Sequence, residues 1–316
     1  MGKVREILKD FDIYYPNENL LSEKDKETFF RFIQKLSATN KVIYTFRGES
    51  NLDRHYCADI SNIRLLSDHI FMLGEKSKAF YSDYAEDEQP IEEFIYDTIE
   101  KSLVYSDKYT DNRIPIFKQN NPDFVKYFLG DNREAFCKFI RKRKDRDYII
   151  DYYIAFIHTI DSSIKNADSF VSTTTCHKTA LGFRGENPEE AVVIFCWLPK
   201  EKKYSGMIKC ESINVKDNRI AKLGLPTYDK SLSEEHKEMC MKYGILPHFI
   251  LGYQVGNDRF IINPNVLKNN SDIDTLVKFG LDIDQSNFKD YISQSNYRRS
   301  FVVTSNGIYK IKFNEN

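Results

Sequence analysis

A change of hydrophobic period near Lys165 constrains the fold of this chain more than any other feature of its sequence. Ahead of it, from about 91 to 165, apolar residues recur at helical spacing: Ile91, Phe94, Ile95, Ile99 and Leu103 form one stripe, and Ile149, Ile150, Tyr153, Ile154, Ile157 and Ile164 a second. Behind it come short runs of the kind that form strands: 169–175, 191–198, 207–215, 248–255 and 259–263. Gly256-Asn257-Asp258 separates the last two runs with residues that tolerate positive φ, so a hairpin is expected there. The tail repeats the pattern, with a run at 299–304, a turn at 305–307 and a run at 308–313. Helices gathered ahead of strands predict an α+β fold, with a mostly helical N-terminal half packed on a mixed or antiparallel sheet. The expected organisation is a single large domain over 1–316, with a helical insertion at about 75–165 and core motifs at about 41–264.

Two elements precede the helical stretch. Ser22, Glu23 and Asp25 suit a helix start, and Phe29, Phe32, Ile33 and Leu36 give the helix over 22–39 one apolar face. Lys41 to Phe46 reads as a strand stopped by Arg47-Gly48. Residues 216–247 read as a loop with one helix, placing Leu232, His236, Met239 and Cys240 on a common face.

Charge excludes some functions. The 46 basic and 47 acidic side chains nearly cancel, so no global field draws the chain to nucleic acid or anionic lipid. The local cluster Lys138 to Arg146 reads either as a solvated helix face, with Asp145 and Asp147 close by, or as a contact for phosphate or an acidic partner. Glu86, Asp87, Glu88, Glu92 and Glu93 read as a polar loop and an exposed helix start. Cys57, Cys137, Cys176, Cys196, Cys210 and Cys240 are scattered, with no C-x-x-C pair and no His at zinc-ligand spacing, so reduced thiols and no metal site are expected. No apolar leader and no stretch of about 18 uncharged apolar residues occurs. A cytoplasmic protein without a membrane partner is the expectation.

Two short motifs carry chemistry. In Tyr44-Thr-Phe-Arg47-Gly48-Glu49, an arginine at a strand end can aim a planar guanidinium at phosphate or carboxylate, while Gly48 permits close backbone approach. The other reading pairs Arg47 with a core-edge carboxylate, Glu49 or Asp53. Ser172-Thr173-Thr174-Thr175 ends a second strand, and its hydroxyls can orient a polar group or a ribose; a Thr-rich edge strand is the plainer reading. The next segment, Cys176 to Phe183, reads as a short helix with Ala180 and Phe183 turned inward. Motifs for phosphate-loop NTPases, Rossmann dehydrogenases, zincins and α/β-hydrolases are absent.

Phe46-Arg47-Gly48-Glu49-Ser50 resembles the opening signature of the FRG domain family, and Ser172-Thr173-Thr174 followed by Ala180-Leu-Gly-Phe183 resembles its middle block. The order of motifs is similar to the Arg, Ser-Thr-Ser, Glu class of ADP-ribosyltransferases, which implies a sheet of that type and NAD as substrate. The resemblance implies that Arg47 and Gly48 hold the diphosphate or ribose, and that Ser172, Thr173, Thr174 and Phe183 shape the nicotinamide side. It departs where Leu246-Pro247-His248 stands in place of a Glu-x-Glu, which leaves His248, with Glu49, to support charge at the ribose carbon. The implied activity is transfer of ADP-ribose to a protein or nucleic acid acceptor, as an intracellular toxin or defence effector. The rival expectation is a non-catalytic recognition module that uses the same cleft and the 138–146 cluster to hold a nucleic acid or protein partner.

Overall fold

The computed structural model describes residues 3–71, 73, 90–105, 113–160, 170–185, 187, 189–200, 207–209, 217–228, 237–242, 245, 249–268, 301–304 and 307–310. Among the expected features, Glu86, Asp87, Glu88, Ile164, Cys210, Leu232, His236, His248 and the stretch 211–215 lie outside these residues. The chain is α+β and forms two compact units, one from residues 1–75, 171–207 and 241–316, the other from 76–170 and 208–240.

The first unit is built on a mixed sheet. Its strands are β1 (Asp12–Tyr14), β2 (Val42–Glu49), β3 (Phe170–Thr174), β4 (Val192–Pro199), β7 (Ile250–Val255) and β8 (Arg259–Ile262), in the order β1-β8-β7-β4-β2-β3. The remaining strands among the described residues are β5 (Met207–Lys209), β6 (Glu238–Lys242), β9 (Phe301–Thr304) and β10 (Gly307–Lys310), the last two paired antiparallel as the tail's two runs predict. β1 runs parallel to β8, and the pairs β2·β3, β2·β4, β4·β7 and β7·β8 are antiparallel. β4 lies centrally and its apolar run is buried, which explains why it lacks polar alternation. The expected hairpin joins β7 to β8, with Val255 opposite Arg259 and Gly256 at φ 61.

Helix α1 (Lys3–Leu8) precedes α2 (Glu23–Ala38), where the Asp25 amide donates to Ser22 Oγ at 3.2 Å as the sequence predicts. Phe29, Phe32, Ile33 and Leu36 are all buried, and Phe29 stacks on Phe260 of β8 at 5.8 Å. β2 runs past its expected stop and ends at Glu49. After it come α3 (Leu52–Tyr56) and α4 (Ile63–Ile70).

The second unit holds the helices α5 (Ile91–Tyr105), α6 (Arg113–Asn120), α7 (Pro122–Phe128), α8 (Arg133–Arg141), α9 (Arg146–Ile160) and α11 (Asn218–Lys222). Their core is aromatic. Phe124 meets Phe128 at 4.8 Å and Phe156 at 4.7 Å, and Phe128 meets Tyr153 at 5.6 Å. The buried phenols keep hydrogen bonds: Tyr96 Oη donates to Gly130 O at 2.8 Å and Tyr153 Oη to Pro226 O at 2.8 Å.

Three local expectations are corrected in these elements. The segment holding Met239 and Cys240 is strand β6, not a helix, so these neighbours alternate faces instead of sharing one. Phe183, the last residue of this seven-residue helix, is 54% exposed where an inward ring was expected, while Ala180 is buried. Glu92 is 1% exposed instead of solvated, since Arg141 and Arg146 both reach it, Arg146 Nη2 at 2.9 Å. The 138–146 cluster is thus drawn into ion pairs: Arg141 also bonds Glu93, and Arg143 Nε bonds Asp145 at 2.6 Å.

Burial pushes the Glu92 carboxyl up, but hydrogen bonds from Arg146 and Arg141 outweigh it and hold the group below the usual carboxylate range. A depressed folded-state pKa stabilises above the unfolded value of about 4.3 and is lost as pH falls through the folded value. Glu92→Gln should therefore be less stable than wild type at pH 7, with the gap narrowing in thermal melts taken at successively lower pH. A gap that stays constant with pH would show that the Glu92 charge contributes nothing.

Helix α10 (His177–Phe183) lies against β2, and a methyl group on Gly48 would stand 2.0 Å from Ala180 O and 2.7 Å from the Arg184 amide. Alanine otherwise suits a strand better than glycine, so propensity favours the substitution and packing forbids it. Gly48→Ala should lower stability by about 3 kcal/mol, read from the urea midpoint. A loss below about 1 kcal/mol would mean that α10 does not lie against β2.

Candidate functional site

Side-chain alternation along β2 sorts the Arg-Gly motif into two faces. Phe46 and Gly48 face α10, where Phe46 meets the His177 ring edge-on at 5.2 Å. Thr45, Arg47 and Glu49 fall on the opposite face. β3 pairs antiparallel with β2, Phe46 opposite Thr174, which sets Arg47 on the strand next to Ser172 and Thr173. The expected neighbourhood of Arg47 and the hydroxyl strand is therefore present.

Ser172 and Glu49 both hold the Arg47 guanidinium. Its Nη1 donates to Ser172 O at 2.8 Å and its Nε to Glu49. The carboxylate pairing foreseen as the plainer reading is thus realised with Glu49, while Asp53 is exposed on α3. The Glu49 side chain is 5% exposed and that of Arg47 27%, so the pair presents the edge of a guanidinium to the outside and buries its counter-charge. His55 of α3 completes the group, with Nδ1 3.1 Å from Glu49 Oε2. No spacing rule marks His55; it arrives because the chain turns back after β2 through Asn51, in the left-handed conformation at φ 53.

Burial pushes the Glu49 carboxyl up, but Arg47 and His55 more than offset it and hold the group below its ordinary value, hence ionised at neutral pH. The neighbouring Tyr56 phenol is driven well above its usual value by burial and by the Glu49 charge. Cys196 lies close enough for Arg47 to draw its thiol down, yet burial prevails and pushes it up to about 12. It is a packing thiol and no nucleophile.

The hydroxyl strand is more buried than its motif implies. Thr173 and Thr174 are each 4% exposed, and Thr174 Oγ1 accepts from the Cys176 amide at 3.1 Å, closing the turn into α10. Ser172 offers Arg47 its backbone carbonyl. Thr45 Oγ1 on β2 is buried and has no hydrogen-bond partner among the described residues. Around α10, His177 Nε2 lies 3.0 Å from Gln254 Oε1, and Arg184 Nη1 donates to Gly256 O at 2.5 Å. These contacts tie α10 to the β7–β8 turn. They were not foreseen, since they join residues more than 70 positions apart.

Comparison with protein-family models, curated proteins and solved structures found no match. Among the described residues, no helix is long and apolar enough to cross a membrane.

Removing Arg47 alone leaves the Glu49 charge buried without its guanidinium partner, whereas removing both charges leaves no ion to desolvate. Arg47→Ala should cost about 3 kcal/mol of stability at pH 7, and less than about 1 kcal/mol in a Glu49→Gln background. Additive costs in a double-mutant cycle would dissolve the pair as a unit.

Proposed function

We propose that the first unit binds NAD or a related nucleotide in the manner of ADP-ribosyltransferases, with Arg47 as its anion anchor. The support for this reading is one juxtaposition: the Arg47 guanidinium at the end of β2 beside the Ser172–Thr174 strand, its Nη1 fixed on Ser172 O at 2.8 Å. A planar, preoriented guanidinium suits two oxygens of a diphosphate and loses little freedom on binding them. Glu49 is the carboxylate nearest this anchor by motif, and it is ionised. A carboxylate there can stabilise positive charge at a ribose carbon as the nicotinamide bond breaks, and His55 holds one of its oxygens in place. In this reading Gly48 serves the pocket indirectly, by seating α10, and Phe183 stands outside it. A macromolecular acceptor would then receive the ADP-ribose. The rival use of the 138–146 cluster as a nucleic acid contact is weakened by its ion pairs with Glu92, Glu93 and Asp145.

Calorimetric titration with NAD and ADP-ribose tests the anchor. Arg47→Ala should weaken binding by about 1.5–3 kcal/mol, and Arg47→Lys should restore little. Glu49→Gln should keep binding and lose transfer of label from NAD to lysate macromolecules. Equal affinity in wild type and Arg47→Ala would remove Arg47 from the site, and absence of both binding and transfer would refute the nucleotide reading.

A further inference from the structure

The second unit contains a separate cluster of metal-ligating side chains. His158 lies in the last turn of α9, and Glu238 and Cys240 are alternate residues of β6, so both of the latter project from one face of the strand. The imidazole nitrogen, the carboxylate oxygen and the Cys240 sulfur all lie within 4.8 Å of one another. His158 Nε2 and Glu238 Oε1 are already 3.1 Å apart, close to the ligand–ligand spacing around a tetrahedral ion. Among the described residues this is the one group of three such side chains so arranged.

We propose that His158, Glu238 and Cys240 form a binding site for a divalent transition metal ion of the zinc class. One nitrogen, one sulfur and one oxygen donor match the borderline softness of Zn²⁺ and Co²⁺, whereas Ca²⁺ and Mg²⁺ demand oxygen throughout. Ligand distances of about 2.0–2.3 Å require the three donors, all within 4.8 Å of one another, to close by at most about 1.5 Å, within reach of side-chain rotation. On binding, Cys240 releases its thiol proton and His158 releases the Nε2 proton it shares with Glu238, both to solvent, so that the thiolate, a carboxylate oxygen and the freed Nε2 lone pair ligate the ion. The Cys240 side chain is buried, while those of His158 and Glu238 are 20% and 16% exposed, so the two partly exposed ligands give an ion access to the site. Three protein ligands leave a fourth position for water or another donor, as in zinc sites that are not closed. The site also pins the C-terminal turn of α9 to β6, two elements some 80 positions apart in the chain.

Titration of the reduced, metal-free full-length chain with Co²⁺ tests the assignment, because a cobalt–thiolate bond has its own near-ultraviolet charge-transfer band and four-coordinate cobalt has intense visible bands. One equivalent of Co²⁺ should develop both, and Zn²⁺ should bleach them. Cys240→Ser should abolish the charge-transfer band, while Cys57→Ser at an exposed thiol should leave it unchanged. Because Cys240 is buried, the partly exposed ligands supply a second reading: His158→Gln and Glu238→Gln should each weaken Co²⁺ binding at least about tenfold. No charge-transfer band at one equivalent would overturn the proposal, as would a band unchanged in Cys240→Ser or full affinity in both of the other variants. The first of these results would identify the cluster as a hydrogen-bonded group that takes no metal.

Discussion

The backbone contact between α10 and β2 at Gly48 is the constraint on which the first unit depends. Only a hydrogen atom fits between that strand and the Ala180 carbonyl, so the helix lies directly on the sheet with no side chain intervening. One face of β2 is thereby sealed, and the strand's alternation consigns Arg47 and Glu49 to the other. The same helix ends at Arg184, whose buried guanidinium grips the β7–β8 turn through Gly256 and Asn257. A glycine that looks like part of a ligand motif is thus the joint that aligns helix, strand and turn.

Both units bury a carboxylate and answer the cost of doing so differently. Glu92 is enclosed by two guanidiniums from helices, neither of which surrenders its charge, so the group is a fixed structural tie. Glu49 sets its oxygens against a guanidinium and an imidazole, with the Tyr56 phenol beside them. An imidazole can give and take a proton, which makes the second arrangement suited to chemistry as well as to structure. The distinction follows from the identity of the partners, since the two acids are alike in burial.

Much of the frame was legible in the sequence wherever a local rule had a local cause. Ser22 with Asp25 announces α2, its apolar face follows from spacing, and Gly256-Asn257 announces the β7–β8 turn. The α+β class follows from the change of period. Failures share one physical origin: the deciding partner is distant in sequence. Gly48 reads as a strand breaker until Ala180 is placed over it, and Glu92 reads as solvated until Arg141 and Arg146 arrive. Glu238 to Lys242 carries two methionines and a cysteine that fit a helix or a strand equally well, so Cys240 was given the wrong neighbours and its company with Glu238 and His158 went unseen. At the candidate site, Arg47 and the hydroxyl strand were visible as motifs, whereas His55 had nothing to mark it.

The interleaving of the two units bears on how the chain is made. Arg47 meets Ser172 only after 125 further residues have been added, a wait of roughly ten seconds at ribosomal speed. The helical segment that emerges in the interval cannot finish either, because Tyr228 of its aromatic core, which packs on Phe156 at 4.8 Å, is encoded after β4 has passed. Neither unit is a self-contained stretch that a nascent chain can fold and leave behind. Vectorial, unit-by-unit folding is closed to this architecture, and the edges of β2 stay unpaired until β3 and β4 have been made.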